Sequence, residues 1–181
     1  MVKEIDKFTI IKAQRGSKRA FKALYDHYAP SVWRLSYRYC NGEQDLAGEI
    51  VQNVFVKVHR ALHTFNHQSA FSTWLYRITY NAAMQVHGER TKWQRTMVPL
   101  EDTNIGFQDK DAYETHQQAE QILQLLSSEE RFLVTAREVD GLSYQELASI
   151  TGEAQGALRT RLFRIKASVR ERFLKEQQRT A

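Results

Sequence analysis

"GLSYQELASITGEAQGALRTRLFRIK", residues 141–166, decides the fold class. Ser143 followed three positions later by Glu146 is the capping-box pattern that opens a helix. That short helix runs through Leu147 and Ile150 to Gly152, which permits a turn. Beyond the turn Leu158, Leu162, Ile165, Val169 and Phe173 recur at spacings of 4, 3, 4 and 4, so one side of a second helix faces a core. Two helices joined in this way form a helix-turn-helix. The remaining face holds Arg159, Thr160, Phe163, Arg164 and Lys166. Such a face suits a major groove, because arginine forks bond guanine edges, threonine offers a hydroxyl or a methyl, and the other cations neutralise phosphates.

The rest of the chain reads as helix too. Two prolines and eight glycines occur in 181 residues, and few segments alternate with period two. Helices are expected at Phe8 to Gln14, closed by Gly16, at Ala20 to about Cys40, ending near Asn41-Gly42, and at Asp45 to Leu62. In the last of these Leu46, Ile50, Val54, Val58 and Leu62 form the apolar stripe, leaving Glu49, Gln52, Asn53 and Lys57 on other faces. A loop follows over Thr64 to Ala70. The stretch "FSTWLYRITYN", 71–81, then starts a helix crowded with aromatics. At about 100° per residue, Phe71, Leu75, Ile78, Ala82 and Val86 make its core stripe. Trp74, Arg77, Asn81 and Gln85 make a second stripe, and Tyr76 and Tyr80 lie on a third side. Core packing accounts for only part of those aromatics. The second stripe fits either a packing rim beside the core or recognition of unpaired nucleic acid, with aromatic faces stacking on bases, Asn and Gln bonding their edges and Arg holding phosphate. The neighbouring loop "HTFNHQS", 63–69, has the composition to hold a base flipped out of a duplex.

Charge divides the chain the same way. The net charge of +5 is made of +8 over residues 1–95, −5 over 96–120 and +2 over 121–181, and residues 156–181 alone hold eight basic and two acidic side chains. Two basic helical bodies flanking an acidic connector fit a polyanionic partner. Pro99, Gly106 and several acids break any amphipathic period from Thr96 to about Tyr113. The single cysteine, Cys40, excludes a disulfide framework and a Cys-x-x-Cys zinc site. His59, His63 and His67 lack a carboxylate or cysteine at ligand spacing, so no metal or cofactor is expected. No nucleophile elbow or phosphate loop occurs, which argues against an enzyme. Without an 18-residue apolar run or a signal-peptide pattern, a cytoplasmic protein with no direct membrane insertion is expected.

Four stretches carry a family resemblance: "AFKALYDHYAPSV" (20–32), "EIVQNVFVKVHRAL" (49–62), "FSTWLYRITYNAA" (71–83) and "LSYQELASITGEAQGALRTRLFRIK" (142–166). In this order and spacing the chain resembles an extracytoplasmic-function sigma factor of the sigma-70 family over nearly its whole length. The resemblance implies an all-α protein of two small helical domains joined by a flexible linker: a region 2 domain over 1–95, an acidic linker over 96–118 and a region 4 helix-turn-helix domain over 119–181. It implies a factor that binds core RNA polymerase, directs it to specific promoters and promotes DNA opening. Glu49, Gln52 and Asn53 match the helix that docks on the clamp of the largest subunit. Phe65, Asn66, His67, Trp74, Arg77, Asn81 and Gln85 match the minus-ten readers. Gln155, Arg159, Thr160, Arg161, Phe163 and Arg164 match the minus-thirty-five reader. The linker matches the segment that threads toward the active site and RNA exit channel. Implied partners are the polymerase clamp and flap, promoter DNA and an anti-sigma factor.

This chain departs from the family pattern in places. Glu49 and Asn53 stand where the family usually has Asp and an acid, Gly156-Ala157-Leu158-Arg159-Thr160-Arg161 loses one hydroxyl, and Leu126-Ser127 replaces Leu-Pro. Two other functions fit parts of the sequence: an autonomous helix-turn-helix regulator, and a sigma-like decoy that binds polymerase without initiating.

Overall fold

The computed structural model describes residues 3–94 and 126–180, so the acidic linker expected over 96–118 lies outside the described residues. Among the described residues there is no strand. The elements are α1 (Lys7–Gln14), α2 (Lys18–Tyr39), α3 (Gln44–Ala61), a 3₁₀ turn (Leu62–Thr64), α4 (Phe71–Gln94), α5 (Ser128–Val134), a π-helical turn (Thr135–Val139), α6 (Tyr144–Thr151) and α7 (Gln155–Thr180).

Local chemistry sets most boundaries. Asp6 and Ser17 accept amides of the first turns of α1 and α2. Ser127 with Glu130 and Ser143 with Glu146 form complete capping boxes on α5 and α6. Gly152 ends α6 at φ +79°, a left-handed conformation that a Cβ would strain. Helix α2 continues through Pro30, whose missing amide leaves a carbonyl one turn earlier to water on an exposed face.

Helices α2, α3 and α4 enclose the first core. Leu24, Tyr28, Val32, Leu35 and Tyr39 of α2 meet Ile50, Val54 and Val58 of α3 and Phe71, Leu75, Ala82 and Val86 of α4, all buried. Each large aliphatic among them contributes about 2 kcal/mol by leaving water. The Tyr28 hydroxyl accepts the Ile5 amide at 3.1 Å, and burial pushes its pKa up to about 12. The expected stripes agree with this packing, Leu46 and Ile78 being partly buried at its margin. In the C-terminal body Phe132, Leu133, Ala136, Leu147, Ile150, Leu158, Leu162 and Ile165 are buried. Val169 is half-buried, and the side chain of Phe173 lies outside the described residues.

The third side of α4 faces the C-terminal body. Tyr80 packs on Phe132 with ring centroids 4.7 Å apart, and the Thr73 hydroxyl donates to Glu146 at 3.1 Å. Arg34 of α2 donates to Asp140 at 2.6 Å, the carboxylate being 1% exposed. Tyr76 lies beside this pair with its pKa raised, chiefly by burial and then by the Asp140 charge.

Glu146 thus caps α6 and bonds α4 at once. Burial opposes its ionisation, but bonds from Ser143 and Thr73 outweigh that and hold its pKa below the ordinary 4.5. Glu146→Ala is expected to lower unfolding free energy by about 1 kcal/mol at neutral pH. Because the folded value is depressed, this contribution is complete above pH 4.5 and is lost as the pH falls through the folded value. Urea unfolding of both proteins near neutrality and near about pH 3 should show the gap closing.

Candidate nucleic-acid interface

Helix α7 sorts its side chains by partner. Arg159, Thr160, Phe163 and Arg164 are exposed, Phe163 at 75%, and Gln155 is exposed at the helix start. A large apolar ring so exposed on a helix whose other face is buried invites contact with base methyls or edges. Arg159 is held in place: its guanidinium lies 5.2 Å from the centre of the Tyr144 ring, and Arg137 covers the same ring at 4.6 Å. Arg137 also donates to the Leu142 carbonyl at 2.6 Å, which ties the stack to the turn before α6. Sequence reading did not mark Tyr144, because a tyrosine just inside a helix carries no period of its own.

Arg161, expected among the DNA readers, points elsewhere. It donates to Glu129 at 2.8 Å and to Glu153 at 2.7 Å, joining α5, the helix-turn-helix turn and α7. Those carboxylates raise its pKa against an opposing burial effect. Lys166 is likewise paired, with Glu138 at 2.6 Å.

On α4 the second stripe is open. Arg77, Asn81 and Gln85 are exposed and Trp74 is half-buried against Phe65 and Phe71, at centroid distances of 5.4 and 5.5 Å. Gln85 accepts from Lys57 of α3 at 2.9 Å. In the loop, Asn66, Gln68 and Ser69 are exposed and His67 is half-buried with φ +59°. Phe65, expected to face a base, is instead 4% exposed, and its ring meets Phe71, Trp74 and His67. It anchors the loop from below, and the side chains above it are the ones that reach outward.

A third surface lies between α2 and α3. Tyr25, Trp33 and Val56 are exposed at 41–44% and, with Phe21, Val51 and Phe55, line an open groove of about 600 Å³. Gln52 sits on its rim, Glu49 is exposed one turn away, and Asn53 is half-buried. The sequence reading found the polar residues of this face but not Trp33 and Tyr25, which stand off the α2 core stripe. Among the described residues no three His, Cys, Asp or Glu gather as metal ligands, and no helix is long and apolar enough to cross a membrane.

Two family models match the chain, Sigma-70 region 2 over residues 24–91 and Sigma-70 region 4 over residues 116–169. The RNA polymerase sigma-H factor of Pseudomonas aeruginosa is 31% identical, over 93% of this chain and 94% of that protein. The ECF RNA polymerase sigma-E factor of Escherichia coli is 31% identical, over 91% and 92%. The chain belongs to the extracytoplasmic-function sigma factors of the sigma-70 family. It is a promoter-specificity factor that binds RNA polymerase. Solved structures share the fold of this sigma factor. CnrH, in complex with the cytosolic domain of CnrY, matches with a TM-score of 0.69 at 21% identity, over 93% of this chain and 96% of that one. The sigma factor RpoE of Bartonella quintana, in complex with the anti-sigma factor NepR, matches with 0.66 at 23%, over 83% and 94%.

Arg161 and Arg164 of α7 should separate cleanly in this sigma factor. Arg161→Ala removes both ion pairs and is expected to cost about 1 kcal/mol of stability. Arg164→Ala should stay within about 0.5 kcal/mol of the parent. Thermal unfolding of the three proteins measures both.

Proposed function

We propose that the three surfaces divide the work of initiation. Residues 1–95 form the region 2 body and 119–181 the region 4 body, with the acidic segment 96–118 connecting them. The α2–α3 groove, with Glu49, Gln52 and Asn53 at its border, takes the polymerase clamp. Asn66, His67, Trp74, Arg77, Asn81 and Gln85 hold the separated minus-ten strand, while Phe65 supports the loop. Gln155, Arg159, Thr160, Phe163 and Arg164 read the minus-thirty-five duplex, and Arg161 supports that helix. The factor works by binding rather than by catalysis and acts in the cytoplasm, where polymerase and chromosome meet. An anti-sigma factor is its regulator in this reading, as NepR is bound by the Bartonella RpoE.

One observation carries the division: Arg77 and Asn81 lie exposed on the helix that follows an open polar loop, in line with Trp74, which packs on that loop's Phe65, and the other two sides of this helix are buried. Flipping a base costs a few kcal/mol, and stacking at about 1 to 3 kcal/mol per base offsets it, so capture of separated bases can drive opening without ATP.

Run-off transcription with matched core polymerase on a genomic fragment library, with RNA 5′ ends mapped, is expected to give starts that share two upstream motifs at fixed spacing. Core binding without any start would favour a decoy. On a promoter so found, Arg164→Ala should weaken minus-thirty-five duplex binding about tenfold. Asn81→Ala should impair opening, read by permanganate reactivity, and leave duplex binding intact. Equal loss in both assays for both variants contradicts the division. Val56→Arg should weaken core binding, read by fluorescence anisotropy, while leaving the fold intact, since Val56 is 44% exposed.

A further inference from the structure

The loop that follows the 3₁₀ turn is held from outside by the N-terminal helix. The Gln14 amide, at the end of α1, donates to the Leu62 carbonyl at 3.0 Å and to the Phe65 carbonyl at 2.7 Å. Its oxygen lies 3.2 Å from Nε2 of His67. Both amide hydrogens and the amide oxygen therefore serve one short stretch of chain, more than forty residues away in sequence. The contacts fall on both sides of Asn66, and the third reaches the residue that holds φ +59°. Asn66 itself accepts the Gln68 amide at 3.2 Å, which turns the chain outward at this point.

The far end of the loop is held from the same segment. Ala70 precedes α4 and has no side chain with which to cap it. The Glu4 carboxylate does so instead, accepting the Phe71 and Ser72 amides at 3.1 Å each. Residues 4–14 thus clamp the entry and the exit of the loop, with Phe65 buried between them.

We propose that Gln14 is a positioning residue for minus-ten recognition: it fixes the backbone around Asn66 and His67 in the shape that receives an extruded base. The proposal rests on the reading of the 63–69 loop given above and deepens it. A loop ordered in advance does not have to be ordered on binding, so the gain appears in affinity for the single strand. Glutamate at position 14 keeps the shape but sets a carboxylate against two carbonyl oxygens. Alanine simply releases the loop to water, which is accessible at this half-buried helix end.

The test uses holoenzyme and a fluorescent single-stranded oligonucleotide carrying the minus-ten sequence recovered by start mapping. Gln14→Glu is expected to weaken its binding about fivefold to tenfold, and Gln14→Ala somewhat less. Core binding and minus-thirty-five duplex binding should stay at parental values. A 2-aminopurine at the extruded position should show less unstacked emission at saturating protein. Core binding separates positioning from folding, because the α2–α3 groove belongs to the same helical body. If core binding falls in parallel for both variants, Gln14 is merely structural and the proposal fails. Asn66→Ala is the reference. If Asn66→Ala weakens the oligonucleotide and both Gln14 variants bind it normally, the proposal is overturned while the loop reading stands. If neither position matters, the loop reading fails and the proposal with it. Should Gln14→Glu not fold, Gln14→Ala alone decides between these outcomes.

Discussion

Helix α4 has to satisfy three surroundings at once, and the rest of the molecule is arranged around that constraint. One side closes the core with α2 and α3 through Phe71, Leu75, Ala82 and Val86. A second side packs on the C-terminal body through Thr73, Tyr76 and Tyr80. Only the strip between them is left to solvent, and it carries Arg77, Asn81 and Gln85. A helix buried on two sides is rigid, so side chains on its third side are presented in fixed order at about 1.5 Å rise per residue. The same burial explains the aromatic crowding of 71–81. Phe71 and Tyr76 fill the core and the contact between bodies, and Trp74 sits where the core meets the open strip.

The contact between the two bodies combines two kinds of force. Tyr80 on Phe132 supplies apolar adhesion, whereas Arg34 with Asp140 supplies direction. A pair whose carboxylate is fully buried offsets its own desolvation cost only when the geometry is good, so it adds little net stability but strongly disfavours a shifted register. Polar groups continue along this contact. Ser36 and Thr135 hydroxyls and Nε of Arg131 are buried without hydrogen-bond partners among the described residues. Burial lowers the Arg131 pKa, the neighbouring Tyr39 and Cys40 opposing it. Each such group would gain water on separation, which makes this contact weaker than a core of equal area.

Most of the fold was legible because its signals are local. Ser143 and Glu146, three residues apart, announce α6, and Gly152 announces its end. The stripe Leu158, Leu162 and Ile165 was found from spacing alone. Non-local choices were not legible. Nothing near Tyr76 in sequence tells that Asp140 lies beside it, and the expected third side of α4 therefore had no assigned partner. Loops have no period, so Phe65 read like its polar neighbours although it is buried. Gln14 and Glu4 were invisible for the same reason, since their partners lie at residues 62–72. Arg161 is an intermediate case. It lies about 40° around the helix from Ile165, at the edge of the core stripe, where a cation more readily finds a neighbouring carboxylate than a solvent-facing phosphate.

Charge sorting on α7 shows why a count of basic residues is a poor measure of a DNA-binding face. Arg161 and Lys166 are paired with Glu129, Glu153 and Glu138, so part of their charge serves to hold neighbouring segments together. Arg159 has no ion pair among the described residues yet is not loose, because stacking on Tyr144 restrains the guanidinium while leaving its donors available. A restrained arginine loses less side-chain entropy when it meets a base than one that must first be immobilised. The Gln14 amide acts on the loop by the same logic, fixing backbone carbonyls rather than a cation. In the proposed reading both recognition surfaces are thereby shaped before DNA arrives, one by an aromatic ring contacted by two arginines and the other by α1.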